Sequence, residues 1–116
     1  MGNAYTTSAA VLNECPPDVS AAVQALIAGW IEDVSRQIDA AVPNYTTPFA
    51  AVTGSPVTPP IVEEAARYLV ADRVLRKTGL LRYDTEGRLV DSLKAAGDLI
   101  LRQLRDGDRV IPTSQL

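Results

Sequence analysis

The chain has 116 residues, 47% of them hydrophobic, and a formal net charge of −3. That leaves room for one domain with one modest core, and the apolar content is too high for wholesale disorder. No apolar run approaches the roughly 20 residues that a membrane span needs. Histidine is absent and Cys15 is the single cysteine, which excludes an internal disulfide together with Ser/His/Asp and Cys/His catalysis.

The N-terminal stretch MGNAYTTSAAVLNE has neither a basic leader nor a long apolar segment. It reads as an arm, residues 1–17, and not as a signal peptide. Its Met-Gly-Asn start with Thr6 formally resembles a myristoylation signal, but no polybasic partner accompanies it. The sequence allows a short helix near Ser8–Asn13. Cys15 precedes Pro16 and Pro17, with no base nearby in sequence to lower its pKa, and reads as a small, half-buried residue where a helix begins.

From Asp18 to Ala41 the spacing predicts the first long helix. Val23, Leu26, Ile27, Trp30, Ile31, Val34 and Ile38 form one apolar stripe, with Gln24, Glu32, Asp33, Arg36 and Asp39 opposite. Pro16 and Pro17 mark its start and Asp18 can cap it. Trp30 lies within the stripe and is assigned to the core.

A Pro/Thr-rich loop, residues 42–59, follows. Structureless segments of this length are uncommon in a compact small domain and usually bind something. Its Tyr45, Phe49 and Val52 suit a partner surface better than a disordered tether.

The second helix is predicted from Pro60 to Lys77. A proline in the first turn loses no intrahelical bond. Glu63 and Glu64 sit at the positive end, Arg76 and Lys77 at the negative end, and Gly79 supplies the stop. Glu63–Arg67 and Asp72–Arg76 are i,i+4 pairs in the favourable order. Ile61, Val62, Ala65, Tyr68, Leu69 and Leu75 give a broad apolar face.

A third helix is expected from Glu86 to Arg105, begun through Asp84 or Thr85 and ended at Gly107. Its inner stripe is Leu89, Leu93, Ala96, Ile100 and Leu104. Gly97 beside that stripe costs about 1 kcal/mol against alanine, so a close helix crossing is expected there. The remaining tail, residues 108–116, is extended. Its Arg109, Val110, Ile111 and Pro112 could add to a partner's edge or groove. The fold class is therefore all-α: three main helices and a short N-terminal one, in a single domain, with the loop and tail as appendages outside the core.

Residues 1–60 hold five acids against Arg36 alone, whereas residues 61–116 hold nine acids and ten bases. A free-standing duplex binder usually shows a basic stripe. The nearest approach is Arg73, Arg76, Lys77 and Arg82, at a helix end where cations favour the macrodipole anyway. The adjacent acids Glu32–Asp33 and Glu63–Glu64 point in different directions on a helix. Asp84–Gly87 and Asp106–Asp108 lack the ligand series of a calcium loop. No glycine-rich phosphate loop is present. The expectation is a non-enzyme with no cofactor and no metal.

The order of parts resembles the small helical head–tail connector (adaptor, or head-completion) proteins of tailed bacteriophages and related gene-transfer particles. The resemblance rests on several pieces taken in order: Tyr5-Thr-Thr before a short helix, a long helix ending Ile38-Asp-Ala-Ala-Val, and Tyr45-Thr-Thr-Pro-Phe49 in the loop. It continues through a Pro-Pro-Ile-Val helix start, a Tyr-containing second helix, and a third helix closing on Leu104-Arg-Asp-Gly107 before a Val-Ile-Pro tail. It covers Tyr5 to Pro112. Its implication is a structural virion protein made in the host cytoplasm and located at the neck. Such a protein forms a homo-oligomeric ring, commonly of about twelve subunits, by head-to-tail contacts that close on themselves. The ring would sit beneath the portal protein, support the stopper or tail-completion protein, and pass DNA through its channel without sequence-specific binding. The tail would reach a neighbour or the portal, and the loop an adjacent subunit or the next ring. Two alternatives stand beside this: a small helical DNA-binding regulator using the Arg73–Arg82 cluster, and another neck component such as a tail-terminator.

Overall fold

The computed structural model describes residues 4–15, 17, 19–78, 82–83, 89–90 and 92–116, the backbone alone being described at 82–83, 89–90 and 92. The fold is all-α. Its helices are α1 (Ser8–Asn13), α2 (Ala21–Gln24), α3 (Ile27–Ala41), α4 (Pro60–Thr78) and α5 (Ser92–Asp106), and a 3₁₀ turn follows at Thr113–Gln115. Between α4 and α5 the backbone forms a two-residue antiparallel ladder, with Arg82 opposite Val90 and Tyr83 opposite Leu89. Expectations that fall on Gly2, Pro16, Asp18, Gly79 and residues 84–87 lie outside the described residues.

Local chemistry explains most boundaries. Thr7 caps α1, its side chain accepting from the Ala10 N–H at 3.2 Å, and Ser20 caps α2 by accepting from Val23 at 3.3 Å. Each satisfies an N–H that the helix itself leaves without a partner. At its far end α5 stops at Asp106, and Gly107 takes φ +83°, the left-handed conformation glycine adopts without a Cβ penalty. That exit is where the sequence placed it.

The first long helix is interrupted. Ser20 starts the helical backbone at Ala21, and at Ala25–Leu26 the chain tightens, the Leu26 N–H donating to Val23 O before α3 begins at Ile27. The turn rotates the stripe, so Leu26 is 42% exposed while Ile27, Ile31, Val34 and Ile38 are buried. Trp30 is half-buried against the core edge. The third helix also starts later than expected, at Ser92 and not Glu86. Leu89 and Val90 are engaged in the ladder, so their backbone groups bond across to Arg82 and Tyr83 and not along a helix.

The central element is α4, against which α1, α2, α3 and α5 all pack. Val62, Ala65, Ala66, Val70, Ala71 and Val74 are fully buried along it. Ile61, Tyr68 and Leu69 of the expected face are half-buried and pack at its margin. Both i,i+4 ion pairs form, Arg76–Asp72 at 2.7 Å and Arg67–Glu63 at 3.8 Å. Small residues let α5 close in, with Ile100, Leu101 and Leu104 completing the core.

Gly97 lies at a close approach of α4 and α5. A Cβ there would lie 2.7 Å from Leu69 Cγ and 2.9 Å from its Cδ2. Gly97→Ala is therefore expected to destabilise the protein by up to about 2 kcal/mol, because overpacking outweighs the gain of about 1 kcal/mol in helix propensity. Urea denaturation measures it, and a stabilised variant would contradict the crossing.

The loop and the tail are not appendages outside the core. Val42, Phe49 and Thr58 of residues 42–59 are buried, as is Ile111 of the tail, at 2% exposed. The arm is built in as well: Tyr5 and Thr6 are fully buried against α3 and α4. These three segments find their partners at long range, which no local periodicity reports.

Candidate functional site

Arm, loop and tail meet in one continuous seam. Tyr5 enters it from the arm, its N–H donating to Ser35 Oγ of α3 at 3.3 Å. The Tyr5 hydroxyl donates to Asp39 Oδ1 and accepts the Phe49 N–H at 2.8 Å. The Tyr5 ring meets the Phe49 ring edge-on at 5.7 Å, and Tyr45 tilts against Phe49 at 6.1 Å. Such aromatic pairs add about 0.5–1.5 kcal/mol beyond burial. One residue further, Thr6 donates to Glu63 Oε2 at 2.7 Å, fastening the arm to α4.

The loop is tied on both sides. The Val52 N–H donates to Ala4 O at 2.8 Å, and the Thr58 hydroxyl donates to Ala50 O, folding the loop back on itself. Asn44 donates through Nδ2 to Leu104 O at 3.0 Å, and the Tyr45 hydroxyl accepts the Ile111 N–H at 3.1 Å. The tail is further held by the Arg109 N–H donating to Gln103 O at 3.1 Å.

The seven residues singled out from the sequence divide by burial. Phe49 and Ile111 belong to this chain's own core, and Tyr45 and Val52 are half-buried in the seam. Arg109, Val110 and Pro112 are exposed, Val110 at 72%. The structure thus joins loop and tail into one surface, and the buried pair holds that surface in place.

A groove of about 310 Å³ lies along it, lined by Thr46, Pro48, Phe49, Ala50 and Pro59 of the loop and by Gln115 and Leu116 of the tail. The signal in the sequence is its lack of charged side chains: none from Ala40 to Val62 is charged at neutral pH, nor any from Val110 to Leu116. A second cleft of about 320 Å³ lies between α3, α4 and α5, bordered by Asp72, Arg73, Lys94 and Asp98. Its charged groups answer one another, Asp72 with Arg76, Arg73 with Asp33 at 3.7 Å, and Lys94 with Asp98 at 2.8 Å. The same pairs engage Arg73 and Arg76 of the basic cluster, while Lys77 is exposed and the Arg82 side chain lies outside the described residues.

Two groups hold their protons more tightly than usual. Burial pushes the Cys15 thiol up, with Glu14 beside it adding to the effect, and its Sγ lies 3.4 Å from Val11 O. Tyr68 is raised chiefly because its hydroxyl donates to Glu64 at 2.8 Å. Both are neutral acids favoured in protonated form by folding. Their contribution is complete below the thiol's ordinary 9.0 and is lost as pH rises, because the unfolded chain ionises first. The melting temperature is expected to fall above about pH 9, and to fall less steeply in Cys15→Ala. A flat profile through the alkaline range would contradict this.

Among the described residues no group of three or more His, Cys, Asp or Glu side chains gathers as a metal site would, and no helix is long and apolar enough to cross a membrane. Comparison with known proteins found no match, whether to a family model, a curated protein or a solved structure.

Proposed function

We propose that the chain is a non-enzymatic assembly protein, a head–tail connector subunit that joins a ring beneath a phage portal and continues the DNA channel. The observation that carries this reading is the gathering of arm, loop and tail into one surface on a helical body, with no charged side chain in the loop. Proteins that work by docking need such surfaces, whereas catalysis needs titratable groups converging in a pocket. The order of motifs from Tyr5 to Pro112 points the same way. In this reading the exposed tail residues Arg109, Val110 and Pro112 reach toward the portal, and the loop faces an adjacent subunit. The stopper protein binds the free rim, and DNA passes without adhering.

Light scattering tests the proposal, on the purified chain alone and mixed with the portal protein. The expected result is a stoichiometric complex of ring-sized mass with the portal. A chain that ignores the portal and binds duplex DNA in low salt would overturn it, in favour of a regulator whose affinity falls steeply with salt.

A further inference from the structure

From the bonds of the seam we infer that arm, loop and tail are one cooperative latch on the helical body. The three open and close together, so whatever secures the tail also secures the arm. This coupling is a property of the free chain and does not depend on the connector role.

The segments hold one another. Three backbone donors of the loop and tail find their acceptors across the seam and not in a helix or ladder. The Val52 N–H bonds to Ala4 O, the Phe49 N–H to the Tyr5 hydroxyl and the Ile111 N–H to the Tyr45 hydroxyl. Phe49 stands between the two tyrosines, its ring 5.7 Å from that of Tyr5 and 6.1 Å from that of Tyr45. Tyr45 in turn carries the tail. Arm and tail are thereby connected through the loop in an unbroken series, Tyr5 to Phe49 to Tyr45 to Ile111.

Releasing one segment strands its neighbour. Without Tyr5 the buried Phe49 N–H loses its acceptor, and without Tyr45 the Ile111 N–H loses its own. A buried donor left without a partner is costly, so the backbone opens to water instead. The short helix α1 follows the arm, since its six residues fall far below the roughly 12–15 at which an isolated helix persists. The helical body has no such dependence. α3, α4 and α5 bond their backbones internally, and α4 packs directly on the other two, with Val70, Ala71 and Val74 fully buried along it. Proteins open in contiguous units of this kind at free energies below that of global unfolding. Coupling between the two ends of such a unit is reciprocal. A contact that fixes the tail protects the arm, and loss of the arm loosens the tail.

Native-state hydrogen exchange on the chain alone tests this, read residue by residue by NMR in rising subdenaturing urea. The amides of Phe49, Val52 and Ile111 should share one opening free energy and one urea slope, the slope reporting the surface exposed on opening. Both values should lie below those of Val70 and Ala71 in α4. Tyr5→Phe leaves the Tyr45–Ile111 bond intact, yet it should lower protection at Ile111 by about 5–150-fold. Tyr45→Phe leaves the Val52–Ala4 bond intact and should lower protection at Val52 over the same range. An Ile111 amide that exchanges at an unchanged rate in Tyr5→Phe would overturn the latch, because the tail would then open by itself. Three different urea slopes would overturn it as well. So would values matching those of Val70 and Ala71, which would make the seam part of the global unfolding unit.

Discussion

Tyr5→Ala is expected to lower folding stability by about 3–5 kcal/mol, the range for removing a large buried aromatic side chain. That is a large share of the roughly 5–15 kcal/mol that keeps a typical domain folded. The size of the effect follows from what Tyr5 connects. Its ring is fully buried and meets Phe49 edge-on. Its hydroxyl is the acceptor for the buried Phe49 N–H and the donor to Asp39. Alanine leaves a cavity, a backbone N–H without its partner and a carboxylate that has lost its donor.

Tyr5→Phe separates these contributions. It keeps the ring and removes only the hydroxyl, so the cost should be about 1–3 kcal/mol, the penalty for stranding a buried polar group. Urea denaturation of the three proteins gives both numbers. An alanine variant within about 1 kcal/mol of the parent would mean that the arm contributes little to the fold. A phenylalanine variant as stable as the parent would mean that the Phe49 N–H and Asp39 find other partners at no cost.

The sequence disclosed the helices wherever the information was local. Pro60, Glu63, Arg76 and Lys77 delimit α4 by backbone geometry and macrodipole, and all are read from adjacent positions. Gly107 announced the end of α5, and Gly97 announced a close crossing without saying which residue it meets. Leu69 supplies that answer. What stayed hidden was non-local. Periodicity treated Leu26 as a member of one continuous stripe, since no proline or glycine at Ala25–Leu26 signals the turn. The expected start of α5 differs because Leu89 satisfies a helical pattern as well as a ladder.

The seam was the least legible part, for the same reason. Tyr5 to Phe49 spans 44 positions and Tyr45 to Ile111 spans 66. Nothing in the composition of an arm, a loop or a tail encodes which of them will meet. Buried Thr6 and Ser35 were equally silent, being polar residues whose burial depends on partners supplied by other elements. The uncharged run from Ala40 to Val62 was visible throughout, and its meaning depended on the tail being laid beside it.

Ile111→Ala is expected to cost about 2–5 kcal/mol, as for other fully buried aliphatic truncations. A tail that merely awaited a partner would tolerate this change, with an effect within about 0.5 kcal/mol. The structure argues otherwise, because Ile111 is buried while its neighbours Val110 and Pro112 are exposed. An extended strand presents alternate side chains to opposite sides. Here one side chain enters the core, and those flanking it remain outside. The backbone is fixed at the same point, by the Ile111 N–H on Tyr45 and the Arg109 N–H on Gln103. Val110→Ala is the matched control: it removes an exposed side chain from the same tail and should leave stability unchanged, while under the proposed connector role it should weaken portal docking. Deletion of 109–116 should therefore lower stability, since it uncovers the Tyr45 hydroxyl and the core beneath Ile111. Equal stability of Ile111→Ala and Val110→Ala in urea would show that the tail is not seated in the core, and would return it to the status of a free arm.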